Sequence, residues 1–473
     1  MVLVVQLTGV KGVTTAIPGA EGEMRFVFRD EVLAQLLGDV EPNTLFLVLG
    51  HPGAGKSTFV ASVVFENVLR FGVKGVYISL AEDREKFYSY MRRLGMDFAV
   101  PEGRGLFEYV HVPTLTGREL VEVVVERLSQ KVVGEGARIA VIDSVTPLLN
   151  ALTTEEARSM LHATLYSLTS ASKALLMLIA DLPFATESTD LKGLEFIADA
   201  VFVFKTKIEK GIISRVMEVR KFRGKPIPLA EIPFTIEEER GFRCLLISPA
   251  SELPYAAATT TYREECSERV WGPLLTGTYI GVISRAGLTP FSPWLLILKL
   301  VGDYGLSYGI ISFREPAEVL KSLIAKAAEV LQRPFSYLLS KASFIVTINP
   351  VLFSPQQLEA TIYRYVEQNV NLLVIDGVDS LYLYYDPLYI DRMLKSLATY
   401  ARGSLSIVFE FVNNVYTPTQ LSRYDIVHEI TVGREGTVEH SVVRGRIASL
   451  QVAPGNLSAR IDEASVLKCL NVV

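Results

Sequence analysis

Residues 50–57 read GHPGAGKS and fit G-x-x-x-x-G-K-[ST] at every fixed position. Each residue type has a reason at that spacing. Gly53 and Gly55 let backbone N–H groups approach phosphate oxygens with no Cβ in the way. Lys56 aims a point charge at β- and γ-phosphates, and the Ser57 hydroxyl is an oxygen ligand of the kind Mg²⁺ takes. Gly53, Ala54, Gly55, Lys56, Ser57 and Thr58 form the expected nucleotide-binding set, with ATP and Mg²⁺ as ligands. RIAVID (138–143) ends in Asp143, and a carboxylate at the tip of a buried strand beside such a loop can hold the metal through its water shell. Capping of the next turn is the plainer use of the same residue.

These residues need strands and helices to position them. TLFLVLG before the loop reads as a buried strand, and STFVASVVFENVLRFG after it as a helix closed by Gly72, whose N-terminus favours anions. KGVYISL (74–80), RIAVID and ALLMLIAD (174–181) are further strands. A capping box at Thr153–Glu156 opens a helix, and AVFVFKT and ISRVMEVRK flank a turn at Glu209, Lys210 and Gly211. Alternating strands and helices predict an α/β domain with a mainly parallel sheet.

Composition agrees with such a sheet. The chain has 473 residues, 49% of them hydrophobic, and a mean hydropathy of +0.30. Strands buried on both faces read as continuous Val/Ile/Leu runs and account for those values. No uncharged apolar stretch approaches the ~18 residues of a spanning helix. The opening MVLVVQLTGVKGVTT lacks the charge and apolar run of a signal peptide, so a cytoplasmic protein without membrane contact is expected. A net charge of −5 disfavours a general nucleic-acid binder. Cys244, Cys266 and Cys469 are far apart and predict neither a disulfide framework nor a zinc site. His51, His111, His162, His428 and His440 show no metal-ligand spacing and are expected in structural or solvent-exposed roles.

The first half resembles the KaiC-like branch of RecA-type P-loop ATPases. The resemblance rests on VLGHPGAGKST, VYISLAED followed by MRRLGMDF, IAVIDSVTPLL, and FIADAVFVF…RVMEVRKFRG…IPFTI. It implies that a glutamate after the second strand activates the attacking water. Counted back from Gly95, that residue is Glu82, while its usual partner falls on Ala81; a single glutamate implies slow turnover. RKFRGK (220–225) can be a phosphate clamp, a nucleic-acid patch or surface charge. The family pattern favours the first, with Lys221 and Arg223 reaching the nucleotide of a neighbouring subunit in a homo-oligomeric, hexameric ring.

The second half repeats the first. Glu315 and Asp376 each lie 233 residues beyond Glu82 and Asp143, and Gly287 lies 232 beyond Gly55. Arg444 and Arg446 each lie 223 beyond Lys221 and Arg223. On that count GVISRAGLTPF (281–291) is a decayed phosphate loop, with Leu288 in place of the lysine and Val282 opposite Gly50. A small-residue linker, ISPASELPYAAATTTYREE (247–265), separates the halves. The fold expected is two tandem RecA-like P-loop NTPase domains, 1–248 with an intact site and 249–473 with a degenerate one.

Three functions fit these residues. The first is a slow ATPase whose C-terminal domain is structural or regulatory. The second is a RecA/RadA-like DNA motor, for which no run of aromatics interleaved with basic residues is seen. The third is a nucleotide-gated regulatory protein with an unidentified protein partner and little turnover. Clock members of the family autophosphorylate a Ser–Thr pair before the strand that begins at the aligned Ala198. Leu194, Glu195, Phe196 and Ile197 stand there, with Arg423, Tyr424, Asp425 and Ile426 taken as their counterparts, so autokinase activity is not expected.

Overall fold

The computed structural model describes residues 24–470 apart from 113–116, 153, 154, 156–158, 160, 184–190, 192, 210, 228, 246–259, 286–290, 414–417, 433–437 and 445–457. The expected capping box, Lys210, most of the linker, Gly287, Leu288 and Arg446 lie outside those residues. The chain divides into two compact units, within residues 6–246 and 247–473.

The N-terminal unit is built on β1 (Thr44–Gly50), β2 (Gly75–Ser79), β3 (Phe107–His111), β4 (Ile139–Asp143), β5 (Leu175–Asp181), β6 (Ala200–Glu209), β7 (Ile212–Phe222), β8 (Glu231–Glu237) and β9 (Gly241–Cys244). They form one sheet in the order β3-β2-β4-β5-β1-β6-β7-β8-β9. Pairing is parallel from β3 to β6 and antiparallel from there on. Every residue of β1 and β2 is buried, because helices cover both faces of the parallel part. Phe46, Phe59 and Phe202 pack on one face, and Leu47, Ile78 and Leu178 on the other.

The C-terminal unit holds β10 (Thr261–Tyr262) and β11 (Leu274–Leu275), which pair with each other, and a second large sheet. That sheet comprises β12 (Tyr279–Ser284), β13 (Tyr308–Ser312), β14 (Ala342–Thr347), β15 (Leu372–Asp376), β16 (Ile407–Val412), β17 (Ile426–Val432), β18 (Val438–Arg444) and β19 (Ser458–Asp462). Its order, β14-β13-β15-β16-β12-β17-β18-β19, repeats the order of the first sheet from β3 through β8, with no counterpart of β9 among the described residues. Both units are therefore RecA-like α/β domains. Among the described residues no helix is long and apolar enough to cross a membrane.

The repeat extends to single hydrogen bonds. Leu45 N–H donates to Asp199 Oδ2 at 3.0 Å while Asp199 N–H donates to Leu45 O at 2.8 Å. Tyr279 and Asp425 exchange the same pair at 2.9 and 2.8 Å. Asp425 thus matches Asp199, and the residues before it are Leu421, Ser422, Arg423 and Tyr424, again without a Ser–Thr pair. The same match sets β12 234 residues beyond β1, so Ser284, not Val282, stands opposite Gly50.

One expectation about the C-terminal unit is corrected. Cys266 and Cys469, 203 residues apart in sequence, form a disulfide between the helices Glu265–Trp271 and Glu463–Cys469. Chain distance concealed the pair. Two of the histidines have a structural role: Trp271 Nε1–H donates to His428 Nδ1 at 3.0 Å, and His428 Nε2 meets His440 Nδ1 at 2.7 Å. His440 Nε2 in turn contacts Glu463, which also accepts from Ser292 Oγ at 2.8 Å. An indole N–H only donates, so Nδ1 of His428 accepts, its proton sits on Nε2, and both rings are neutral along the chain.

Burial, reinforced by the neighbouring His440, holds His428 well below the usual histidine range. The unfolded chain then binds a proton near pH 6.5 that the folded one refuses, so this contribution to stability is complete above that pH and lost as pH falls below it. Both tryptophans, Trp271 and Trp294, lie in the C-terminal unit, so their fluorescence follows its unfolding. Urea midpoints read this way should drop between pH 7.5 and 5, with a shallower slope in His428→Gln; equal slopes in the two proteins contradict the assignment.

Candidate functional site

The GHPGAGKS loop joins β1 to the helix Lys56–Phe71. Gly53 has φ of 76° and Gly55 φ of 103°, a left-handed backbone that side chains oppose. A Cβ on Gly55 would also stand 2.9 Å from Ile236 Cδ1 and 3.3 Å from a ring carbon of Phe234, both on β8. The antiparallel extension of the sheet therefore buttresses the loop from behind. Ala54 is fully buried, and Ser57 and Thr58 are half-buried in the first helical turn.

Lys56 turns back over the loop. Its side chain is only 6% exposed, and Nζ donates to Gly50 O and His51 O at 2.9 Å each and pairs with Asp181 Oδ1 at 3.0 Å. Those acceptors use all three donors of an ammonium. Asp181 ends β5, and its second oxygen accepts from Ser144 Oγ at 2.9 Å. It was not singled out in the sequence, where it is just the last letter of ALLMLIAD; the only available signal was the register that sets it opposite Gly50.

Asp143 ends β4 beside the loop. Ser57 Oγ donates to its Oδ2 at 2.7 Å and Tyr77 Oη to the same oxygen at 2.5 Å. Burial raises its pKa, while the hydrogen bonds from Tyr77 and Ser57 and the charge of Lys56 act against burial. A half-buried carboxylate touching the Ser57 hydroxyl is a donor set that fits Mg²⁺, a hard cation that takes few protein oxygens and keeps several waters. Among the described residues no cluster of three His, Cys, Asp or Glu forms a closed metal cage.

Glu82 lies just past β2, in the turn toward the helix Arg84–Arg93. Its N–H donates to Ser79 Oγ at 3.0 Å and its carbonyl accepts from Tyr109 Oη at 2.8 Å, which fix the backbone there. Its carboxylate is half-buried, 3.9 Å from Lys86 Nζ. Burial raises its pKa; Lys86 opposes the rise, and Asp143 and Asp83 add to it. Asp83 is occupied differently: its side chain caps the helix by accepting from Lys86 N–H at 2.9 Å.

Lys221 and Arg223 come together where β7 ends at Phe222 and a turn at Gly224 follows. Within one chain, Lys221 Nζ donates to Glu195 O and Phe196 O at 3.2 and 3.1 Å. Arg223 donates to Phe196 O and pairs with Asp199, each at 3.1 Å. The Arg223 side chain is 57% exposed.

The C-terminal unit treats its matching acid differently. Asp376 is 1% exposed and accepts from Ser312 Oγ at 2.9 Å. Arg314, at the position of Ala81, pairs with both its oxygens, with Nε 3.3 Å from Oδ2. Burial raises the pKa of Asp376, and the Arg314 charge and hydrogen bond counter it. The helices that follow the two loops end at Gly72 and Gly305, 233 residues apart, and the first strands are 234 apart. The place of Lys56 therefore falls at Thr289 or Pro290 rather than Leu288. The sequence carries no lysine between Ser284 and Leu298.

Residues 14–245 match the sequence model of the KaiC ATPase. The circadian clock oscillator protein KaiC of Synechococcus elongatus is 28% identical over 206 residues, which cover 41% of this chain and 38% of that protein. The circadian clock protein KaiC3 of Synechocystis is 23% identical over 331 residues, covering 66% of this chain and 61% of that protein. In each case the match spans less than two thirds of the relative's own length. The N-terminal unit, with this loop between β1 and the helix behind it, is thus a KaiC-like ATPase domain by sequence, and the match over residues 14–245 stops short of the C-terminal unit.

Proposed function

We propose that the N-terminal unit binds ATP with Mg²⁺ and hydrolyses it slowly, and that the C-terminal unit is structural or regulatory. The observation that carries this reading is Lys56, a buried ammonium on a strand–loop–helix with Asp143 and Ser57 in mutual contact beside it. A triphosphate entering the loop would take over donors of Lys56 now given to Asp181 and the carbonyls. Ser57 and Asp143 would hold the Mg²⁺, which when bound screens the charge of the β- and γ-phosphates. Glu82 is the group to accept the proton of the attacking water, its raised pKa bringing it closer to a working base near neutral pH. Slow turnover follows from Ala81, which leaves that carboxylate without a second.

Lys221 and Arg223 are proposed to exchange their carbonyl partners for the nucleotide of an adjacent subunit in a homo-oligomeric ring. Their position at the exposed end of β7 supports this. The same single glutamate also favours a second reading, in which ATP mainly sets conformation or assembly. Steady-state phosphate release separates the two. In wild-type protein turnover should be measurable, and Glu82→Gln should lower it about 100-fold while leaving nucleotide affinity within a few-fold. Unchanged turnover in the variant would remove Glu82 from the chemistry.

In the C-terminal unit Arg314 is proposed to supply the positive charge that a metal would otherwise bring to Asp376. Its removal leaves a buried carboxylate uncompensated, a change that costs about 3–5 kcal/mol when a buried pair is broken. Urea unfolding followed by tryptophan fluorescence should therefore show a large loss of stability in Arg314→Ala. A loss below about 1 kcal/mol, the range of exposed pairs, contradicts the role.

A further inference from the structure

Three arginines of the N-terminal unit, Arg29, Arg240 and Arg243, line a cavity of about 340 Å³ together with Glu239 and Phe242. That space equals roughly ten waters at about 30 Å³ each. None of its lining residues belongs to the GHPGAGKS loop or to the acids beside it. Arg240 and Glu239 come from the turn between β8 and β9, Phe242 and Arg243 from β9, and Arg29 from the segment before the helix Glu31–Leu37.

The guanidinium groups are incompletely matched by their own chain. Arg29 Nη2 donates to Gly95 O at 3.0 Å and the group lies 5.3 Å over the Phe65 ring, but its buried Nη1 has no hydrogen-bond partner. Arg243 reaches Asp30 only at 3.6 Å. Asp30 is already engaged, one oxygen accepting from Leu33 N–H at 3.0 Å as a helix cap and the other from Cys244 N–H at 3.2 Å. Arg240 is 3.8 Å from Glu237 and 61% exposed. Burial lowers the Arg29 pKa; Glu66 opposes this and the like charge of Arg243 adds to it. Two like charges in the wall of one cavity, with a buried donor unspent, favour an anion beside them. One carboxylate in the wall, Glu239, leaves a net positive lining.

We propose that this cavity is a second anion site, distinct from the GHPGAGKS loop, that takes a small phosphate-bearing polyanion. Planar guanidinium forks match phosphate oxygens two at a time, and three of them favour a multiply charged group over a single carboxylate. The site adjoins the nucleotide loop's own supports. Glu239 N–H donates to Arg93 O at 2.8 Å, at the end of the helix that starts beyond Glu82, and β8 carries the Phe234 and Ile236 that back Gly55.

The inference does not rest on ATP hydrolysis, and its test removes the first site. Full-length Lys56→Met, which keeps side-chain length but not charge, is titrated calorimetrically with Mg²⁺-free inorganic pyrophosphate and, separately, with ADP. One binding event per chain is expected with at least one of them, and the tighter of the two shows whether free polyphosphate or a nucleotide end is the source. Arg240→Glu, an exposed substitution that should leave the thermal midpoint in place, is expected to weaken that event at least tenfold, and Arg29→Gln likewise. Absence of binding in Lys56→Met, or equal affinity in Arg240→Glu, overturns the proposal.

Discussion

A buried ammonium is the constraint around which the N-terminal unit is arranged. Taking a charge out of water is expensive unless its donors are matched, and Lys56 meets that condition with two carbonyls of its own loop and the carboxylate at the tip of β5. The sheet order places β5 beside β1 and β4 beside β5, so Asp181 and Asp143 arrive at the same end as the loop. Positive φ at Gly53 and Gly55 folds the backbone back far enough for its carbonyls to reach Nζ. The acceptors that hold the lysine in place are also those a triphosphate oxygen would replace.

The C-terminal unit solves a related problem with different means. It keeps the strand order, the exchanged hydrogen bonds at the start of the central strand, and the serine and aspartate at the tips of β13 and β15. It lacks a lysine over the whole stretch that corresponds to the loop, and it places Arg314 where the first unit has Ala81. Asp143 accepts from the hydroxyls of Ser57 and Tyr77, whereas its twin Asp376 is paired with an arginine of its own unit. The disulfide between Cys266 and Cys469 and the Trp271–His428–His440–Glu463 chain join the first and last helices of this unit.

Much of this could be read from the sequence, for identifiable reasons. The loop, its strand and its helix are local, and buried parallel strands announce themselves as apolar runs; TLFLVLG, RIAVID and ALLMLIAD lie where expected. Features that depend on contacts across the fold were not legible. Asp181 looks like any strand-ending acid until β5 is set against β1. Arg314 looks like part of a charged turn until it is seen against Asp376. Cys266 and Cys469 are brought together by helix packing that no spacing rule predicts, and the histidine pair joins through strands β17 and β18. The displaced count in the second loop has a simpler cause: it was anchored on a glycine, whereas strand pairing anchors on Tyr279 and moves the frame by two residues.

The account turns on one occupied triphosphate site per chain, held by Lys56. Equilibrium dialysis of the full chain carrying Arg240→Glu, which disables the arginine-lined cavity, against a non-hydrolysable ATP analogue with Mg²⁺ tests it most directly. One nucleotide per chain, lost in Lys56→Met, is the predicted result. Two per chain, or one that persists without the lysine, would place a nucleotide where the second unit has none of the charge to hold it and would contradict the account.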